Sequence, residues 1–318
     1  LSDSATFTLQ ISDSFDVNKE IFRWLDDPLF QLGNEITIKM GYGNNLQTMI
    51  IGKIETLNSS LFSNASPTLS VTGYDLSYKV LKKASGEQSF DNVKDSDIVQ
   101  KIAGVMQLTA KTDPTSEKHE KVVKKSNTSF FNFLKERAER IGYEFYVGGR
   151  TLYFVNPKED KAELFTLEWG KNLVSFNPTM STARVDTNVE VRGWDSKNKK
   201  EIIGRAGAGD ERTQEQGKKK GSQIAMEAGG EAKRVIFWPV SSVEEANNVA
   251  KARLNNASDR FIEGTGNTIG IPELRSGVFI RLDKLGKRFS GKYRVKEATH
   301  TIDTSGYKVN FNVKRNAV

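Results

Sequence analysis

The chain has no cysteine, and only two histidines, seven prolines and four tryptophans among 318 residues. Each shortage removes a class of function. Without cysteine there is no disulfide framework, no thiolate metal site and no cysteine nucleophile, and the redox compartment stays open. His119 and His300 lie in different segments. A His-Glu-x-x-His zinc helix and any set of three imidazole ligands are therefore excluded. No stretch approaches the ~20 apolar residues that span a bilayer, so no membrane insertion is expected. The start, LSDSATFTLQIS, lacks the charged end and apolar block of a signal peptide. It reads as a strand at or within the edge of a domain.

What is present is ordinary globular material. Hydrophobic residues make up 37% and charged residues 27%, enough for two or three domains with sizeable cores. Net charge is +7, from 47 Lys and Arg against 40 Asp and Glu. The signs are interspersed, and the basic runs (Lys82-Lys83, Lys124-Lys125, Lys199-Lys200, Lys218 to Lys220) are short. They read as solvated surface, not as the concentrated basic face of a nucleic-acid binder.

Periodicity gives the order β, then α+β, then β again. Phe7, Leu9 and Ile11 alternate, as do Ile36, Ile38 and Met40 before the turn GYGNN and the return through Met49 to Ile54. Leu69 and Val71 mark another strand, so the first eighty residues suggest a small antiparallel barrel or sandwich. Helical spacing follows at Leu76, Val80 and Leu81. It recurs at Ile98, Ile102, Val105 and Met106, with Asp95 or Ser96 as cap. A third helix carries Phe130, Phe133, Leu134, Ala138 and Ile141 behind Thr128 or Ser129, and Gly142 ends it. YEFYV and TLYFV form a hairpin, and β patterns resume near residue 162. Residues 205–234 are rich in Gly, Lys, Glu and Gln and read as a long exposed insertion. A helix over 242–257, capped by Ser241 or Ser242, turns Val243, Ala246, Val249, Ala250 and Leu254 inward. Three strands close the chain.

Reactive constellations are scarce. His119, in SEKHEK, is expected in solvent, and His300, in a strand, as a hydrogen-bonded structural residue. No serine stands in a G-x-S-x-G elbow. GAGDERTQEQG and the Gly264–Gly270 stretch GTGNTIG lack the context and spacing of phosphate loops and read as ordinary loops. Asp26-Asp27 precedes Pro28 in a turn, and Glu244-Glu245 sits in a first helical turn, where negative charge suits the helix dipole. Asp13, Asp16 and Asn18 do not have EF-hand spacing. Val189–Gly207, VEVRGWDSKNKKEIIGRAG, reads as a hairpin: Val189 and Val191 inward, Asp195 to Asn198 the turn, Ile202 returning, and Trp194 capping a barrel core. Arg192-Gly193 is not expected to cradle a phosphate. No catalytic, cofactor-binding or metal residue is assigned, and the chain is not expected to be an enzyme.

Five stretches in order resemble the phage late control protein D family, the tail hubs of contractile phages, tailocins and related injection systems. They are LFQLGNEITIKMGYGNNLQTMIIGKIETL, PTLSVTGYDLSYKVL, SNTSFFNFLKERAERIGYEFYVGGRTLYF, NVEVRGWDSKNKKEIIGRA and LRSGVFIRLDKLGKRFSGKYRVKEATHTIDTSGYKVNFNVKR. Ser196 stands where that family often has proline, which affects only a turn.

The resemblance implies a mainly β fold: two similar, tube-like antiparallel β-barrel domains, at 1–75 and 161–318, separated by a small α+β domain at 76–160. It implies a homotrimer whose six barrels form a pseudo-sixfold ring, joining a hexameric tail tube to a trimeric spike among other baseplate proteins. The sequence ends at Val318 without a β-rich spike region, so a separate spike protein is expected. Assembly would take place in the bacterial cytoplasm, within a phage tail or a similar particle. Competing readings are a tail-associated cell-wall hydrolase and a basic nucleic-acid-binding module. Neither a cofactor nor specific nucleic-acid binding is expected.

Overall fold

The alternating apolar residues of the N-terminal region form an antiparallel sheet in the computed structural model, which describes residues 5–76, 81–82, 86–158, 161–196, 198–212, 215 and 218–318. Strands take 48% of the chain and helices 19%, so cross-strand pairing sets a mainly β fold with curled half-barrel sheets. Two units form: residues 2–134 with 145–154, and residues 135–144 with 155–318.

In the first unit come β1 (Thr6–Ser12), the short pair β2 (Phe15–Asp16) and β3 (Ile21–Phe22), β4 (Glu35–Tyr42), β5 (Asn45–Ser60) and β6 (Thr68–Asp75). The order β1-β6-β5-β4 makes a four-stranded sheet. β4 and β5 meet through the two-residue turn Gly43-Asn44, with Gly43 at φ 54°. β5 carries one extra residue opposite Ile38/Lys39 and another opposite Gly73/Thr72. Such bulges bend a strand and deepen its twist, which curls this sheet around Phe7, Ile54, Leu69 and Val71. The helix expected over Leu76, Val80 and Leu81 falls mostly outside the described residues.

The α+β stretch holds β7 (Gln88–Lys94), α1 (Asp95–Val105), β8 (Thr109–Thr112), β9 (Lys118–Lys124), α2 (Phe130–Ile141), β10 (Glu144–Gly148) and β11 (Thr151–Val155). β8 and β9 occupy TAKTDPTSEKHEK, where the pattern predicts nothing: β9 pairs with β7, and β8 lies parallel to β11. α1 buries Ile98, Val99, Ile102 and Ala103, while Val105, expected inside, is exposed on the last turn. Neither expected residue caps it. Lys94 is the cap, its N–H donating to Asp97 Oδ2 (3.0 Å), and Asp95 is turned inward. α2 is capped by Ser129 Oγ, which accepts from Asn132 N–H (3.2 Å). It stops where Gly142 takes φ 69° and Tyr143 N–H reaches back to Ala138 O.

In the second unit, β12 (Thr166–Glu168), β13 (Leu173–Met180), β17 (Ile262–Ile269), β18 (Phe279–Asp283), β19 (Gly291–Asp303) and β20 (Gly306–Arg315) form one sheet, ordered β12-β18-β19-β20-β17-β13. Its two edge strands are consecutive in sequence, joined by residues 169–172, and Trp169 and Leu173 form a bridge across that link. A connection this short forces the sheet to curl until its edges meet. Tyr293, Val295, Val309, Phe311 and Val313 fill the inside.

β14 (Asn188–Asp195), β15 (Lys200–Gly207) and β16 (Lys233–Phe237) form a separate three-stranded sheet, with α3 (Gly221–Gly229) between β15 and β16 in sequence. α4 (Val243–Ser258) covers one face, and the single turn α5 (Gly286–Phe289) precedes β19. Ser242 Oγ caps α4 by accepting from Glu245 N–H (3.0 Å). Val189, Val191, Ile202 and Ala206 meet Ala246, Val249, Ala250 and Leu254. A Cβ at Gly204 would stand 2.5 Å from that of Ala246, so glycine and alanine set the close approach of strand and helix. Val243, expected in this interface, is exposed.

Two expected loops are corrected. Among the described residues, 205–234 are not one continuous exposed insertion. They hold the end of β15, α3 and the start of β16, with Glu211 and Ser222 buried. Ser222 Oγ donates to Glu211 Oε1, and Lys220 Nζ donates to the carbonyls of Gly209 (2.6 Å) and Glu211 (2.5 Å). The polar residues satisfy one another, which composition alone cannot reveal. Gly264–Ile269 is likewise strand β17, in the interior of the six-stranded sheet. Its glycines make room for aromatic rings: a Cβ at Gly264 would lie 2.5 Å from Phe176 Cζ.

Candidate assembly surfaces

The residues that first suggest chemistry are used to hold the chain. Asp13, buried, accepts N–H groups from Ser14 (2.8 Å), Trp24 (2.9 Å) and Leu25 (3.0 Å). Burial opposes its ionisation, but those N–H groups and the charge of Arg23 outweigh it, and its pKa lies below the usual carboxylate value. Asp16 accepts from Asn18 and Lys19 N–H, Asp26 from Phe22 N–H, and Asp27 from Leu29 N–H. Glu245 accepts from Ser241 N–H (2.7 Å) and pairs with Arg140. Among the described residues, no group of three His, Asp or Glu side chains could hold a metal ion. None of the described helices is long and apolar enough to cross a membrane.

The histidines differ from each other. His119 is not in solvent: its ring is 11% exposed and lies 3.4 Å from the buried Asp95 carboxylate. His300 accepts at Nδ1 from Tyr307 OH (2.7 Å) and donates from Nε2 to Leu274 O (3.0 Å). Burial holds its pKa below the ordinary histidine value, against the bond to Leu274. Lys124, read as solvated, is fully buried, with Nζ donating to the carbonyls of Lys125 and Thr128. Burial lowers its pKa.

Two of the open sheet faces carry clustered polar or aromatic side chains. The first is the outer face of β13, β17, β19 and β20, opposite the core. A groove of about 260 Å³ there is lined by Asn177, Thr265, Asn267, Asn310, Asn312 and Glu297, among others. Asn267 Nδ2 donates to Asn310 Oδ1 (2.5 Å), and Asn312 Nδ2 to Glu297 Oε2 (3.1 Å). Amides both donate and accept without fixed charge, so this face suits contact with another backbone or amide surface. It offers no paired nucleophile and base.

The second open face belongs to β14–β16, on the side away from α4. Glu190, Arg192 and Trp194 share it by alternation with Arg205 of β15 and Lys233, Val235 and Phe237 of β16. Glu190 is buried, and three cations converge on its carboxylate: Arg192 at 2.6 Å, Arg205 at 3.0 Å and Lys233 at 3.0 Å. Hydrogen bonds from Lys233, Arg192 and Arg205, in that order, outweigh burial and hold its pKa at about 2. Arg192 also reaches Glu201 (3.4 Å).

Trp194 does not cap a barrel core. It is 60% exposed, because its place in the alternation is on the uncovered side. Gly193 faces inward instead, where a Cβ would stand 2.4 Å from Val240 Cγ2. The hairpin belongs to the helix-backed sheet, not to the six-stranded one.

Known structures share this architecture at low sequence identity. The 43 kDa tail protein of prophage MuSo2 from Shewanella oneidensis superposes with a TM-score of 0.74 at 14% identity, over 98% of this chain and 90% of that one. A tail protein of Neisseria meningitidis MC58 gives 0.66 at 12%, over 85% and 81%. The E. coli protein c3393, a type VI secretion component described as structurally similar to the T4 tail proteins gp27 and gp5, gives 0.64 at 13%, over 100% and 71%. Comparison with curated protein sequences gives no match. The model of the Alg8 N-terminal domain family matches residues 4–304, nearly the whole length, and the chain belongs to that family.

Proposed function

We propose that the protein is a structural hub of a contractile tail or a related injection particle. Three copies form a pseudo-sixfold ring that joins a hexameric tube to a trimeric spike, among other baseplate proteins. The observation that carries this reading is the shared fold, over 98% of the chain, with a prophage tail protein. The five stretches resembling late control protein D hubs support it, and the contractile type VI component of the same fold fits it. In this reading, residues 1–75 and 161–318 supply the tube-like domains, and 76–160 the part between them. The groove, lined by amides and hydroxyls with the Glu297 carboxylate, offers the tube a hydrogen-bonding surface. The work is assembly, not catalysis, and takes place in the bacterial cytoplasm before the particle is complete.

Mass photometry of the full chain tests this, alone and with tube and spike proteins of the same particle. The expected result is a three-chain species and its complexes. A monomer at every concentration, even with both partners present, would overturn it.

A further inference from the structure

The six-stranded sheet closes on itself at one seam, and the bonding there is thin. Inside the sheet, strands are joined by long ladders: β13 pairs with β17 from Leu173–Thr268 to Met180–Ile262, and β17 with β20 from Ile262–Arg315 to Ile269–Lys308. Between the edges β12 and β13 the described residues form a single bridge, Trp169 to Leu173. The rest of the seam is held by Asn172. Its Oδ1 accepts from Glu168 N–H (2.7 Å), and its Nδ2 donates to Thr166 O (3.3 Å). These two backbone groups flank Leu167, and a parallel neighbouring strand would bond the same pair. The side-chain amide therefore stands where a peptide group of that strand would be. Asn172 is tied to the opposite side as well: its backbone carbonyl accepts from Oγ1 of Thr268 (2.5 Å), a fully buried residue of β17. Gly170, at φ 81°, lets the link turn tightly enough to bring Asn172 to this point. Leu167 and Leu173, one from each edge, are buried in the core behind it.

We propose that Asn172 is a clasp, and that this seam is where the closed sheet opens first. Opening it breaks one bridge and three bonds that involve a side chain, whereas parting β17 from β20 breaks a whole ladder. Openings that break few bonds are the ones a folded chain samples most often. The consequence is an edge. Closure leaves the sheet without free strand edges, and release of the clasp provides two, Thr166–Glu168 and Leu173–Met180. Free edges are where strands of other chains add to a sheet. The clasp belongs to this unit by itself and holds whether or not copies form a ring.

Hydrogen exchange of the full chain, read by mass spectrometry, tests this. In the wild type, peptides covering 164–169 and 173–180 should exchange ahead of those covering 291–315. Asn172→Ala should speed exchange on both sides of the seam by about tenfold and leave 291–315 unchanged. Thr268→Val removes the hydroxyl that holds the Asn172 carbonyl, and it should loosen the same two peptides. If Asn172→Ala does not fold, the wild-type order and Thr268→Val decide the matter. Wild-type peptides that all exchange together would overturn the proposal. So would a variant that speeds a single amide in 164–169, which would be the loss of one bond and not of a clasp. Equal acceleration of every peptide, or no change in Thr268→Val, would likewise remove the seam as an opening point.

Discussion

Phe311 lies with its ring across the backbone of Gly266, its directly paired neighbour in the next strand. A Cβ added at Gly266 would stand 2.4 Å from Phe311 Cζ. The same arrangement recurs in the other unit, where a Cβ at Gly73 would meet Phe7 Cζ at 2.5 Å. In both curled sheets a glycine lets an aromatic ring fill the concave side.

Gly266→Val should therefore destabilise the six-stranded sheet even though valine favours strands. Overpacking of this kind costs about 1–3 kcal/mol. Chemical denaturation should show a lower midpoint with an unchanged slope. A midpoint equal to the wild type would mean that the ring moves aside freely.

The Arg140–Glu245 pair ties the last turn of α2 to the first turn of α4, and Arg140 also donates to Pro239 O (2.7 Å). Glu245 is 3% exposed, so Arg140→Ala would leave a buried carboxylate without its cation. Breaking such a pair from one side costs about 3–5 kcal/mol. Adding Glu245→Gln should restore part of the loss, and a double-mutant cycle by thermal melting measures the coupling. Strictly additive losses would contradict the pairing.

Glu190 gives a pH dependence. Its folded pKa of about 2 lies below the ordinary 4.5. The sign follows from linkage: the unfolded chain binds the proton first, so the stabilisation is full above pH 4.5 and is lost as pH falls towards 2. Glu190→Gln should lower Tm at pH 7, and the gap to wild type should narrow towards pH 3. A gap that is constant with pH would show that the charge contributes nothing.

His300 acts in the same direction at milder pH. Held neutral by burial, with a folded pKa below the ordinary 6.5, it favours the folded state above pH 6.5. That contribution falls as pH drops below this value. Tyr307→Phe removes the hydroxyl that donates to Nδ1 and should raise the His300 pKa, as read by NMR titration of the imidazole. An unchanged titration curve would remove Tyr307 from this account.

Much of the fold follows from local pattern. The strands over 6–12, 35–60 and 68–75, the helix ended by Gly142 and the helix behind Ser242 are written in alternation, caps and a helix-ending glycine. These signals act between near neighbours, where steric and hydrogen-bonding preferences are strong. Polar segments were less legible. Lys124 is buried by bonds to two carbonyls, Glu211 by Ser222 and Gly209, and His119 by Asp95. In each case partners compensate for the loss of water, and a partner's position is set by the fold.

The open faces show the same division. Alternation alone puts Glu190, Arg192 and Trp194 on one side of β14 and Val189 and Val191 on the other. Which side is covered depended on where α4 packs, and that helix lies some fifty residues further on. The mainly β class, the capped helices and the lack of thiol chemistry rest on residue type and short spacing, so they are legible before any folding. That GTGNTI is an interior strand beneath aromatic rings, and that Trp194 faces water, follows from packing between distant segments. Each outcome depends on contacts between residues far apart in the chain, whose free energy appears only when the sheets close.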